Sequence, residues 1–271
     1  MRLKMTLISI TDPDDPRVAA FRHVKERDLT GREGRFIAEG KGVVRILASP
    51  VSLCAPESLL LAENRVQAMA EAVAALPDGV PTYVAGQGVL DAVAGFPLHR
   101  GVLALGRKPV SRSVAALLAD APPQAVVVCA VGIGNHDNMG GLFRNAAAFG
   151  AHAVLMDAAC CDPFYRKAIR VSVGAVLRTP MATAPSVEVL LDELEAAGFE
   201  TLALTPSATQ PLSAVRGSGR QALLLGAEGS GLPDTVIRRC RSVGVPMAGG
   251  FDSLNVAATS AVALHQLTQV R

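Results

Sequence analysis

The chain has 271 residues, half of them hydrophobic, which is enough for one large or two ordinary domains. Charged residues, glycine or proline interrupt its apolar runs before about 18 residues, so no transmembrane helix is expected, and residues 1–16 lack a signal-peptide pattern. The net charge is only +2, but residues 17–45 hold eight basic against four acidic residues, and 100–112 hold four basic and no acidic ones. These clusters suit nucleic-acid phosphates and solvated surface about equally.

The five cysteines form no CxxC pair and no disulfide framework, which fits a reducing cytoplasm. Adjacent Cys160 and Cys161 suggest redox or metal chemistry at first sight, but two small, semi-buried side chains are the better interpretation. No cluster of His, Cys and Asp has ligand spacing, so no metal is expected. Two tyrosines and no tryptophan argue against a base-stacking platform.

The first third of the chain predicts a small, separate α/β domain over residues 1–107. Short strands are predicted at 35–39, 51–54, 81–85 and 102–105. Helices are predicted at 41–48 and 64–76. A connector over 108–122 ends at the Pro122–Pro123 pair, which marks the entry to the next domain.

Strands and helices then alternate from residue 123 to 271, which predicts a parallel sheet with helices on both faces. The predicted strands are 125–131, 153–156, 201–205, 222–226 and 243–246. The predicted helices begin near 138 and span 162–173, 187–197, 232–241 and 253–270. We expect Asp162 to be the N-cap of the helix at 162–173. The last helix is apolar on most sides, which predicts packing on two faces.

Two glycine-containing loops suggest ligand sites, but neither has a nucleotide-binding spacing. A dinucleotide-binding fingerprint that starts with Gly132 and Gly134 requires a third glycine at the position of Asp137. The P-loop motif GxxxxGK[ST] does not occur either. A plain Rossmann oxidoreductase or a P-loop enzyme is therefore not expected. The second loop, 226–231, follows an apolar strand at the edge where α/β proteins bind ligands. A ligand loop and a simple tight turn fit it equally.

Asn138 and Arg144 lie six residues apart at and after a helix start. Asn138 has a ready structural role as the N-cap. Arg144 interrupts an apolar run, and its planar guanidinium suits a phosphate or carboxylate partner. A structural salt bridge, for example with Glu228, is the alternative. The cations within residues 166–170 fit RNA contact and simple solvation equally.

Three segments occur in order along the chain: NMGGLFR at 138–144, LLLGAEGSGL at 223–232, and VPM at 245–247 followed by SLNVA at 253–257. Together they resemble the three motifs of the SpoU (TrmH-type) RNA ribose methyltransferases of the SPOUT superfamily. Residues 35–44 and 101–105 resemble the opening and closing segments of the L30e-like domain that is appended to many of these enzymes.

This resemblance implies a C-terminal SPOUT trefoil-knot methyltransferase domain with a parallel sheet over residues 123–271, whose last helix threads through a loop. It also implies a small N-terminal L30e-like α/β domain that binds the RNA substrate. The expected function is a cytoplasmic RNA 2′-O-ribose methyltransferase that uses S-adenosyl-L-methionine and acts on rRNA or tRNA as a homodimer, with no membrane and no metal. A catalytically inactive RNA-binding or ribosome-assembly protein is the alternative. A small-molecule modifier is disfavoured by the basic N-terminal region.

The resemblance also assigns site residues. The catalytic set is Arg144, Asn138, Glu228, Ser253 and Asn255. The cofactor-binding set is Leu225, Gly226, Val245, Met247 and Leu254. Arg144 is the base that the resemblance implies, although a guanidinium stays protonated to above about pH 12. A positioning role, with water or Glu228 accepting the proton, therefore stays open. His136 and Asp137 depart from the family pattern, which leaves the substrate preference open.

Overall fold

The computed structural model describes residues 7–22, 29–217, 219–249 and 253–268. They form two compact units. The first contains the described residues up to Pro109 together with Phe164–Arg178, and the second contains Val110–Pro163 and the described residues from Thr179 onward. The expected division kept 164–178 with the second domain, whereas these residues pack in the first unit.

The first unit is built on a five-stranded sheet in the order β1-β4-β3-β5-β2. Its strands are β1 (Leu7–Ile10), β2 (Arg35–Glu39), β3 (Ala55–Ala62), β4 (Thr82–Ala85) and β5 (Val102–Arg107). Its first three helices are α1 (Lys41–Leu47), α2 (Val66–Ala74) and α3 (Gln87–Ala94). β4 pairs in parallel with β1 and β3, and β5 pairs antiparallel with β3 and β2. The strand predicted at 51–54 is wrong, because these residues form a turn and a bend and the strand begins at Ala55.

The segment Phe164–Arg178 completes the first unit. The Phe164 ring packs 5.2 Å from the ring of Phe36, a side chain with no exposed surface. The backbone N–H of Leu53 donates to the carbonyl of Leu177 at 2.8 Å. The segment carries α6 (Arg166–Val171), whose N-cap residue is Tyr165 without a side-chain cap. The expectation that Asp162 caps a helix over 162–173 is therefore wrong.

The second unit contains a six-stranded sheet in the order β11-β9-β10-β6-β7-β8. Its strands are β6 (Ala125–Val131), β7 (Ala153–Asp157), β8 (Met181–Ala184), β9 (Glu200–Leu204), β10 (Arg220–Gly226) and β11 (Arg241–Val243). Its helices are α4 (Val114–Ala119), α5 (His136–Ala148), α7 (Val187–Ala196), α8 (Asp234–Arg239) and α9 (Val256–Thr268). Every strand pairing is parallel, which confirms the predicted parallel sheet. The sequence interpretation missed β8.

Helices α5 and α9 pack closely against each other. A Cβ at Gly141 would collide with the Cβ of Ala257, so the two helices meet through small residues. Asn145 Nδ2 donates to the Ala257 carbonyl at 2.6 Å and to Ser260 Oγ at 2.8 Å. α9 contacts α5 and also strands β6 and β10, in agreement with the predicted packing on two faces, while Val262 is 45% exposed.

None of the helices in the described ranges is long and apolar enough to cross a membrane.

Candidate functional site

A cavity of about 410 Å³ lies at the carboxyl edge of the six-stranded sheet, where three neighbouring strands end. Leu204 ends β9, Gly226 ends β10, and Val245 follows β11. Its volume is typical of a small-molecule site. It is lined by Leu204, Thr205, Pro206, Leu225, Gly226, Ala227, Glu228, Gly229, Gly231, Val245, Met247, Ser253, Leu254, Asn255, Val256 and Thr259.

The loop from Gly226 to Gly231 forms one wall of the cavity. It needs glycine because its backbone reverses direction tightly. The Gly231 N–H donates to the Ala227 carbonyl at 2.9 Å, and φ is 83° at Gly229 and 66° at Gly231. A Cβ at Gly226 would collide with the backbone of Gly231 and Leu232, and would come 2.5 Å from the Gly231 carbonyl oxygen. The segment is thus both a tight turn and a cavity wall.

Asn255 joins the cavity to two helices. Its Oδ1 accepts from the backbone N–H groups of Ala257 at 2.9 Å and Ala258 at 3.2 Å, so it caps α9. Its Nδ2 donates to Asn138 Oδ1 at 2.8 Å and to Glu228 Oε1 at 3.2 Å. One side chain therefore fixes the helix start, the Glu228 carboxylate and the first turn of α5.

Asn138 lies in the first turn of α5 and is only 4% exposed. The residue that caps α5 is Asn135, whose Oδ1 accepts from the N–H groups of Asp137 at 2.8 Å and Asn138 at 3.4 Å. The interpretation of Asn138 as the N-cap is therefore wrong. The side-chain oxygen of Asn138 instead accepts the hydrogen bond from Asn255, so Asn138 belongs to the polar network.

Arg144 stands apart from this network. Its side chain is exposed, it does not line the cavity, and no hydrogen bond or ion pair joins it to the described residues. The suggested ion pair with Glu228 is therefore absent from the described part of the chain. The structure brings Asn138, Glu228 and Asn255 together and leaves Arg144 outside.

All five residues expected to bind the cofactor, Leu225, Gly226, Val245, Met247 and Leu254, line the cavity. Ser253, from the catalytic set, lines it too. The sequence interpretation missed the wall at 204–206. The available signal was the end of β9, because the carboxyl ends of parallel strands share one edge. The loop expected at 248–252 lies partly outside the described residues.

Cys160 has a structural role, in agreement with its interpretation as a semi-buried side chain. Its thiol donates to the Ala130 carbonyl and accepts from the Ile133 N–H, each at 3.3 Å. Burial raises the pKa of the Cys160 thiol to about 12, so the reactive thiolate is scarce at neutral pH.

A parallel sheet with a glycine-rich loop, a cavity and a polar network at its carboxyl edge defines a small-molecule-binding α/β domain. Residues 125–265 match the model of the SpoU rRNA Methylase family, and the chain belongs to this family. The family predicted from the three motifs is thereby confirmed. SpoU methylases use S-adenosylmethionine, the methyl donor that the motifs imply.

Relatives extend this similarity over nearly the whole chain. An uncharacterized tRNA/rRNA methyltransferase of Mycobacterium bovis is 39% identical over 96% of this chain and 91% of its own length. An rRNA methyltransferase from Sinorhizobium meliloti, solved with AdoMet bound, has a TM-score of 0.80 at 23% identity, covering 96% of this chain and 97% of that one. A solved RNA 2′-O ribose methyltransferase has a TM-score of 0.75 at 26% identity, covering 97% and 99%. The fold is therefore shared across both units.

Proposed function

We propose that this chain is an S-adenosylmethionine-dependent RNA 2′-O-ribose methyltransferase that acts on rRNA or tRNA. The observation that carries the proposal is the cavity at the carboxyl edge together with the hydrogen bonds that join Asn138, Asn255 and Glu228. An RNA-binding protein without catalysis needs neither feature, which disfavours the inactive alternative. The likeness to the solved RNA 2′-O ribose methyltransferase supports the ribose hydroxyl as the acceptor.

The cavity suits the cofactor in its mixture of surfaces. Leu225, Val245 and Leu254 offer apolar contacts to an adenine ring, while Glu228 and Ser253 offer polar groups to the amino-acid end. When bound, S-adenosylmethionine supplies a methyl group already activated by the sulfonium. The protein must then align the ribose and accept its hydroxyl proton.

Glu228 is the proposed proton acceptor, directly or through a water molecule. Asn255 donates to only one of its carboxylate oxygens, so the carboxylate is oriented and still has free lone pairs. Arg144 is the proposed positioning group for an RNA phosphate, because its exposed guanidinium presents a planar fork of donors that no described residue occupies. The sequence left two roles open for Arg144, proton acceptor and positioning group, and the positioning role is the better supported.

The direct test incubates the purified protein with methyl-labelled S-adenosylmethionine and unmodified rRNA or tRNA. Label is expected in alkali-resistant dinucleotides, because methylation of the 2′-oxygen blocks hydrolysis of the adjacent phosphodiester. Label on a base would contradict the ribose assignment. No transfer to RNA taken from cells lacking the gene would contradict the enzyme assignment.

We further propose that the enzyme is a cytoplasmic homodimer with α5 and α9 at the interface. Val262 on α9 is 45% exposed and offers an apolar contact to a second subunit. Val262→Asp should convert a dimer to a monomer in light scattering at micromolar concentration. Val189→Asp, at a residue 37% exposed on α7, is the matched control and should leave the dimer intact. A monomeric unmodified protein would refute the dimer.

The trefoil knot is also part of the proposal. Its support is the tight passage of the end of α9 beside the loop that precedes β10. Gln266 Nε2 donates to the Val215 carbonyl at 3.3 Å, and a Cβ at Gly217 would collide with the Leu267 carbonyl. The first unit is proposed to be the L30e-like RNA-binding part. Its test is the loss of RNA affinity when cations of that unit are replaced.

A further inference from the structure

The first unit contains a second cavity, of about 490 Å³, which the proposed methyl transfer does not use. Four of its lining side chains are permanent cations: Lys41, Arg65, Arg100 and Arg170. Among the described residues, Glu39 is the one carboxylate that lines it. The cavity therefore has a large excess of positive charge, which favours an anionic ligand.

Two of these arginines lie close against the backbone of glycines with positive φ. At Gly40, where φ is 97°, a Cβ would lie 3.1 Å from the Arg100 Nη1 atom. At Gly101, where φ is 60°, a Cβ would lie 3.3 Å from Arg65 Cγ. A side chain at either position would press on the neighbouring arginine, so both arginines pack closely against glycine backbone at the cavity.

The guanidinium groups keep unused hydrogen-bond donors. Arg65 Nε is buried and has no hydrogen-bond partner among the described residues. The Glu39 side chain is only 8% exposed, yet the Arg100 Nε atom is 3.9 Å from its carboxylate. This separation is too long for a hydrogen bond. Glu39 therefore attracts Arg100 without occupying its donors.

The fourth cation comes from the segment Phe164–Arg178 and is held by a strained turn. Val173 lines the cavity with φ of 53°, a backbone conformation that is a genuine outlier for a β-branched residue. The next residue, Gly174, packs so closely on α1 that a Cβ there would lie 2.9 Å from Ile46 Cδ1. This contact fixes the turn after Arg170, and such strain is concentrated at functional sites.

We propose that this cavity binds a phosphodiester group of the substrate RNA and so sets the position of the RNA on the first unit. The inference rests on the proposed function, because it presupposes an RNA substrate. Guanidinium forks match phosphate oxygens in geometry and charge. Contacts of this kind fix register and orientation and do not read the sequence.

The test compares RNA binding by the full chain and by the double variant Arg65→Gln/Arg100→Gln, with unmodified rRNA and tRNA as probes over a range of salt. Near physiological ionic strength the double variant should bind at least about tenfold more weakly, the scale of a lost charged hydrogen bond. The slope of log affinity against log salt should fall by about 0.7 to 0.9, the value for one phosphate. Arg170→Gln should act in the same direction.

Arg45→Gln is the matched control, because it removes a cation from the same unit, on α1, outside the cavity lining. It should change RNA affinity by no more than about twofold, the scale of a surface charge. Thermal unfolding and titration with S-adenosylmethionine should be equal for all variants, which shows that loss of RNA binding is not loss of folding in either unit. Equal RNA affinities for the control and the double variant would overturn the proposal.

Inorganic phosphate distinguishes RNA from a free anion as the ligand. If phosphate stabilises the unmodified protein but not the double variant while RNA affinities stay equal, the cavity serves a small anion and the proposal is wrong. If RNA binding depends on Arg65 and Arg100 but no RNA is methylated, the proposed function fails and the cavity assignment stands.

Discussion

Asn255 and Arg144 are both expected site residues of the second unit, but the chain supports them differently. The Asn255 side chain makes four hydrogen bonds, whereas Arg144 makes none to the described residues and is exposed. The cavity with its polar network is thus formed within one chain. Arg144 has no partner among the described residues, and under our proposal its partner is an RNA phosphate. Binding and catalysis should therefore be separable by mutation.

Gly226→Val should have the largest effect, because its side chain would collide with the backbone of Gly231 and Leu232 and distort the cavity wall. We expect no heat of S-adenosylmethionine binding in calorimetry at millimolar ligand, and no turnover. Gly134→Ala is the control, since a Cβ there meets nothing within 4 Å. Normal cofactor binding by Gly226→Val would show that the cavity is not the cofactor site.

Arg144→Ala should lower turnover by at least about a hundredfold with cofactor affinity unchanged. Arg144→Lys should fail as well, because an ammonium does not reproduce the planar fork. Arg238→Ala removes another exposed arginine from the same unit and should keep full turnover. Turnover near normal in Arg144→Ala, with saturating RNA and cofactor, would remove Arg144 from the mechanism.

Mixing the two inactive variants tests whether Arg144 serves the cavity of the other subunit. If it does, a heterodimer of Arg144→Ala and Gly226→Val subunits has one intact site of two. Half of the dimers are heterodimers after random subunit exchange, so roughly a quarter of normal activity should return. No recovery, once exchange is verified by mass, would mean that Arg144 serves its own chain.

Asn255 substitutions should have the smallest effect and should separate its two roles. Asn255→Ala loses the cap of α9 and should cost about 1 kcal/mol in the free energy of unfolding. Asn255→Ser keeps a cap acceptor but is too short to donate to Asn138 and Glu228, so it should be more stable than Asn255→Ala and still lose about tenfold in turnover. Thermal unfolding and single-turnover rates measure the two effects. Equal turnover in Asn255→Ser and the unmodified protein would show that the network is only structural.

The elements of the second unit were predicted well from the sequence where consecutive residues are all buried or where a motif is local. β6 was predicted at its observed bounds because all seven of its residues are apolar and buried. The cavity residues were assigned through the resemblance of the three motifs to those of the family, because the strand and helix pattern alone left a ligand loop and a tight turn equally open. Asn138 was misread because Asn135 is an equally good cap, and only the folded chain shows which of them is buried.

Long-range packing could not be read from the sequence. The apolar residues of Phe164–Arg178 would suit a helix in either unit, and only the partner Phe36 decides between them. The separation of Arg144 from the polar network is equally invisible, since a motif lists residues and not their distances. The expected domains at 1–107 and 123–271 were continuous because pattern reasoning divides a chain only at local changes in composition.

The chain passes between the two units three times, at 109–110, 163–164 and 178–179. A growing polypeptide therefore cannot finish its first unit when residue 109 leaves the ribosome. It must wait until residue 178 is made, by which time part of the second unit is already present. Phe36, whose side chain is fully buried in the finished protein, lacks its partner Phe164 throughout that interval. Synthesis of this protein thus couples the maturation of its two units.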